Sequence, residues 1–310
     1  VIHDYGTENI SYEQIDNGIF RINEDFKGQN DDLSQVIDSF TNVIGFPDIE
    51  FRLATKDPDG NPTYGVTRTA SVWTNNGGPS TVRPLVNWDN KKYANIYVVR
   101  SFTESMSGAA AYATKPGSGG SEYGDYIFCT YTYFGDWNPN TDNGPTGSNW
   151  SRHTMPHEMG HFFNLLSIWG GADEPASEGN CVLDDNVEDT PPTIGTDGNS
   201  VGCPLSQTTC GSLDNVQNFM DYSYCVHMFT QGQADRMEAA ANSLVGNRWY
   251  LWQPDNLTAT GTDDESVNNS PYASCAPIPD FRSDTDLGCS GALISFVLSF
   301  NGIDRIVFRF

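Results

Sequence analysis

His157-Glu158-Met159-Gly160-His161 sets two imidazoles four residues apart, with a carboxylate next to the first. On an α-helix residues i and i+4 share a face, so His157 and His161 can reach one metal ion together, and zinc is the expected ion. Glu158 then stands beside the metal, where a general base for an attacking water belongs. The long form of this motif, H-E-x-x-H-x-x-G-x-x-H, continues to a glycine and a third histidine. Here Phe162-Phe163-Asn164-Leu165-Leu166-Ser167 follows, so Asn164 takes the glycine position and Ser167 the third-ligand position. Asparagine is the next-best residue at positive φ and still lets the helix end there. A serine hydroxyl is a poor zinc ligand beside imidazole, thiolate or carboxylate, so zinc affinity should fall by orders of magnitude.

Other donors do not obviously replace the missing histidine. His153 continues the i, i+4 ladder but would lie ~12 Å along a straight helix from His161, too far to share an ion. Pro156 is tolerated in the first turn of a helix, which places His153 ahead of that turn. His227, Asp173 and Glu174 are further donors, and nothing in their spacing recommends them.

Forty acidic residues against sixteen basic ones give the 310-residue chain a formal charge of -24. That field repels nucleic acid and anionic membrane surfaces, so neither is an expected partner. The acidity serves solubility, or in part binds calcium through clustered oxygens. No apolar run of ~20 residues reads as a membrane span. Cys181, Cys203, Cys210 and Cys225 crowd one region, Cys275 and Cys289 lie near the C-terminus, and Cys129 ends an apolar run as a buried thiol would. No C-x-x-C spacing supports a second zinc site, so paired cysteines suggest disulfides and an oxidising, extracytoplasmic compartment. The chain opens on Val1-Ile2-His3 with no signal peptide, so any export signal or prosegment is expected outside it.

Ser11-Tyr12-Glu13-Gln14 reads as a capping box opening a helix with Ile15, Ile19, Ile22 and Phe26 on its buried face. Strands are predicted over residues 49–54, 93–100 and 125–129, with long Gly/Ser/Asn/Pro-rich loops at 115–123 and 138–149. A second capping box, Thr230-Gln231-Gly232-Gln233, predicts a helix through Met237, Ala240 and Leu244. The domain organisation follows as a catalytic domain over 1–253, a polar linker over 254–270, and a β-like segment over 271–310, too short for a complete sandwich.

Further along comes Asn218-Phe219-Met220-Asp221-Tyr222-Ser223, which with the histidine helix resembles the metzincin pattern of a methionine turn beneath the metal. The chain is most similar to the pappalysin family of secreted metalloproteases. The resemblance rests on Val1-Ile2-His3, Ile22-Asn23-Glu24-Asp25-Phe26, Asn95-Ile96-Tyr97-Val98-Val99, Asp189-Thr190-Pro191 and the Met220 turn leading to Phe229-Thr230 and Gln233. It implies an α/β metzincin fold, with a mixed sheet and the active-site helix above and an irregular, disulfide-tied lower half that holds Met220.

The resemblance also implies a zinc endopeptidase acting on proteins or peptides, with zinc on His157 and His161, Glu158 as base, and Tyr222 stabilising the oxyanion. A packed aromatic is the plainer role for Tyr222. The family's cysteine pattern implies Cys181–Cys210 and Cys203–Cys225, with Cys275–Cys289 as a separate tail bridge. Asp184-Asp185-Asn186-Val187-Glu188-Asp189 resembles the family's calcium loop, with Asp185, Asp189 and Thr190 as ligands; otherwise it is a solvated acidic loop. The tail resembles the first strands of a PKD-like β-sandwich. Only Ser223 and Tyr224 separate Tyr222 from Cys225, so the acidic residues with which some relatives select arginine are missing. Ser167 leaves a second function open, an impaired module that binds peptides or a protein partner.

Overall fold

The structure, a computed structural model, describes residues 1–136, 149–171, 174–197 and 202–263, and the strand pair Ser295–Phe296 and Ile306–Val307. Residues 1–263 form one compact unit. The expected Cys275–Cys289 bridge and PKD-like segment lie outside the described residues, apart from that antiparallel strand pair.

Three strands form the sheet that backs the site. Ile127–Thr130 lies at its centre, parallel to Ile96–Val99 on one side and antiparallel to Ala111–Ala113 on the other. Ile127, Phe128 and Cys129 are each fully buried, as a central strand covered on both faces should be. The free thiol of Cys129 is pushed up by this burial, and the Glu158 charge adds to the shift, so it is inert core.

Helix Tyr12–Phe26 packs Ile15, Ile22 and Phe26 into the same core as Met155, Met159 and Phe162 of helix Thr154–Phe162. Ser11 caps the first of these through the Gln14 N–H. The Gln14 side chain does not close the capping box; it donates to the Tyr131 and Phe134 carbonyls and ties the helix to the turn after the central strand. At the far end of helix Thr154–Phe162, buried Arg248 donates to the Phe162 carbonyl, lies over the Phe162 ring and pairs with Asp125.

Three further expectations change. Residues 49–54 are extended but form no ladder, because Asn23 of the first helix bonds both the N–H and the C=O of Phe51 with its side-chain amide. The polar stretch from 254 begins as helix Pro254–Thr260, where a linker is expected, and its Thr260 carbonyl accepts from Thr55 N and Lys56 N. Its polar composition masked a proline-initiated helix anchored by backbone bonds, so the first unit runs to Asp263. Helix Gln231–Ala241 carries the complete Thr230/Gln233 capping box but stops short of Leu244, which is exposed.

Below the active-site helix, 165–230 contains little regular structure. Disulfides Cys181–Cys210 and Cys203–Cys225 cross-link it. Buried carboxylates take the place of ladders: Asp214 accepts from Thr193, Gln207 and Thr209, and Asp221 accepts from the Thr196 N–H and hydroxyl.

Candidate active site

Helix Thr154–Phe162 starts on His153 as its N-cap residue, with Pro156 inside the first turn, where its missing N–H leaves nothing unpaired. It ends where Asn164 adopts φ 75°, the left-handed conformation that the motif's glycine would supply. The Asn164 and Leu165 N–H groups close the end on the His161 and Gly160 carbonyls, and the chain turns back under the helix.

Both motif histidines are oriented from behind. His157 Nδ1 donates to the Phe219 carbonyl at 2.7 Å and His161 Nδ1 to the Leu165 carbonyl at 3.0 Å. Each ring is thereby held as the Nδ1–H tautomer, which leaves its Nε2 lone pair for a metal. The two rings lie 4.7 Å apart at an interplanar angle of 84°. Burial, together with the neighbouring His161, lowers the His157 pKa to about 3, and burial lowers that of His161. Both stay neutral and able to ligate near pH 7.

Glu158 is 6% exposed, burial raises its pKa to about 8, and its Oε2 has no hydrogen-bond partner. A buried carboxylate left half-satisfied is costly unless a cation or substrate completes its surroundings. Two imidazoles with free Nε2 atoms beside such a group fit a divalent cation.

Met220 lies beneath the helix, fully buried. A Cβ added at Gly160 would come 2.4 Å from Met220 Sδ, so only glycine permits this approach. Gly160→Ala gains about 1 kcal/mol of helix propensity but overpacks a buried contact, at a cost of about 1–3 kcal/mol. A lower Tm is therefore expected; a Tm at or above that of the unsubstituted chain would show that Met220 does not hold the helix there.

Tyr222 follows in the same turn. Its ring packs 5.3 Å from the His157 ring and 4.8 Å from Trp169. Burial, with the charges of Glu158, Asp221 and Glu174, pushes its pKa up to about 12, so it remains a hydroxyl donor.

Ser167 is 9% exposed and is tied to the methionine turn through Ile168, whose N–H bonds the Met220 carbonyl. Among the described residues no His, Cys, Asp or Glu groups with His157 and His161 as a third donor. His227 turns away from the cleft and pairs with Asp32. Asp173 lies outside the described residues.

The acidic loop is only partly gathered. Asp185 accepts from the Val187 N–H and from the Thr190 hydroxyl. Asp189 instead accepts from the Thr230 hydroxyl and the Gly232 N–H at the start of helix Gln231–Ala241, where a carboxylate meets the positive end of the helix. Sequence reasoning missed this role, although the Thr230 capping box marks the helix start that Asp189 serves.

Residues 82–242 match the family model described as pregnancy-associated plasma protein-A. An extracellular metalloprotease of Arthroderma gypseum is 29% identical over 244 residues, covering 77% of this chain and 69% of that protein. One of Arthroderma otae is 42% identical over 91 residues, covering 28% of this chain but only 30% of its own length. Among solved structures, mature mirolysin of Tannerella forsythia, in complex with a cleaved peptide, superposes with a TM-score of 0.69 at 30% identity, covering 84% of this chain and 95% of that one. The family model, the shared α/β metzincin fold and the helix-over-methionine arrangement agree: the chain belongs to the pappalysin family of metzincin metallopeptidases.

Proposed function

We propose that this chain is a secreted zinc endopeptidase whose metal is held more loosely than the fold ordinarily requires. The observation that carries this is the pair of neutral imidazoles, each pinned by a backbone carbonyl with Nε2 free, beside a buried carboxylate lacking a partner. Zinc, when bound there, acts as a Lewis acid that polarises the water and the scissile carbonyl. Glu158 accepts the proton of the attacking water and passes it to the leaving amine. Glu158, which burial otherwise keeps protonated, would give up its proton more readily beside a bound divalent cation. Tyr222, with its high pKa, donates its hydroxyl to the carbonyl oxygen as negative charge develops there.

Ser167 sits at the third-ligand position, and this favours one rival, a peptide-binding module without turnover. Casein hydrolysis separates the two. The proposed enzyme cleaves casein in the presence of zinc, stops with a chelator, and is inactive as His157→Ala. A folded chain that never cleaves at any zinc concentration would leave only binding.

Extracellular action accords with the two disulfides and with the extracellular relatives. No helix among the described residues is long and apolar enough to cross a membrane. Calcium is proposed at Asp185 and Thr190, with Asp189 adjoining through the helix start. Burial, chiefly, raises the Asp185 pKa to about 6, and its hydrogen-bond donors are neutral, so a cation would complete it. Calcium addition should raise Tm by a few degrees, and Asp185→Asn should abolish that rise. A Tm indifferent to calcium in the parent chain would refute the assignment.

A further inference from the structure

Away from the cleft, among the described residues, Asp32, His153 and His227 bring three potential ligand atoms within 4.8 Å of one another. His153 Nε2 lies 3.0 Å and His227 Nδ1 3.2 Å from Asp32 Oδ2. Donors about 2.0–2.2 Å from a tetrahedral ion stand roughly 3.3 Å apart, close to these spacings. All three side chains are buried, at 3%, 1% and 1% exposure.

The surroundings have the form of a metal site's outer shell. Asp25 Oδ2 bonds His153 Nδ1 at 2.6 Å, an arrangement that turns Nε2 toward an ion. Asn30 Nδ2 donates to Asp32 Oδ1 at 2.7 Å and leaves Oδ2 facing the imidazoles. His227 Nδ1 faces Asp32 Oδ2 at 3.2 Å without the alignment of a good hydrogen bond. A buried ring nitrogen so poorly aligned with its partner is costly, and a cation accepting its lone pair removes that cost. Asp25 and Asp32 are two buried carboxylates that, against the effect of burial, raise the His153 pKa to about 9, and a divalent ion on Nε2 would take the place of the proton they otherwise hold there.

We propose that Asp32, His153 and His227 form a second, structural metal site, for zinc or a similar divalent transition ion. It is separate from the cleft: the Phe219 ring packs against His153, while the Phe219 carbonyl holds His157. An ion there would pin the start of the active-site helix to the loop that follows helix Tyr12–Phe26 and to the segment after the methionine turn. With no exposed face, the site has a holding role and no catalytic one.

The test uses the full chain with both cleft histidines removed, His157→Ala with His161→Ala, so that zinc in the cleft cannot contribute. After zinc loading and dialysis, this double variant should retain about one zinc per chain, and zinc should raise its Tm. Adding His227→Gln should abolish both effects. A folded double variant with no zinc and no zinc-dependent Tm overturns the site, as does zinc retained unchanged with His227→Gln. Should the triple variant not fold, the cobalt-loaded double variant decides: visible bands of tetrahedral cobalt support the site, and their absence overturns it. None of these results depends on whether the cleft hydrolyses peptides.

Discussion

Ser167→His should tighten zinc binding in the cleft by at least about 100-fold and raise hydrolysis at limiting zinc in proportion. Loss of an outer-shell partner alone typically weakens a metal site by about 10–100-fold, and a direct imidazole ligand should count for more. The scaffold for a third ligand is already built. Asn164 makes the left-handed turn, Leu165 holds His161, and Ile168 ties the segment to Met220. A larger side chain at a buried position costs about 1–3 kcal/mol, which one metal bond exceeds. Competition with a chelator of known affinity reads the change, and an unchanged dissociation constant would show that residue 167 does not face the metal.

Glu158→Gln should lower kcat by at least about 10²–10⁴-fold, the usual contribution of a positioned general base, while zinc still binds. The amide fills the same space and keeps the histidine geometry but cannot take up a proton. A second consequence is visible without metal. Because the folded pKa of Glu158 is raised, burying its charge costs nothing below pH 4.5 and progressively more toward pH 8. The metal-free variant should therefore match the parent in Tm below pH 4.5 and exceed it increasingly up to pH 8. Near-parental kcat at saturating zinc would remove Glu158 from the chemistry.

Much of this site was legible because its parts are local. The i, i+4 histidines, the glycine-to-asparagine exchange and the capping residues are short-range patterns, and the helices begin where they indicate, although Gln231–Ala241 ends before Leu244. The strands at 96–99 and 127–130 followed from apolar runs. The disulfide pairing came from family likeness, since four cysteines in one region allow three connectivities. What escaped depended on distant partners. Asn23 withdrew Phe51 from any ladder, Thr55 and Lys56 anchored the helix at 254–260, and Asp25, Asp32, His153 and His227 met across some 200 residues of sequence. His153 and His227, which by sequence are candidate substitutes for the third ligand, meet at Asp32 instead.

The central claim is a pappalysin cleft with its base and two histidines intact and its third ligand missing. The rate of peptide hydrolysis against buffered free zinc tests it most directly. Hydrolysis should cease once zinc is stripped, recover along a saturable curve, and show a midpoint shifted at least about 100-fold lower in Ser167→His. Full hydrolysis persisting after exhaustive chelation, or coincident curves for the two proteins, would contradict it.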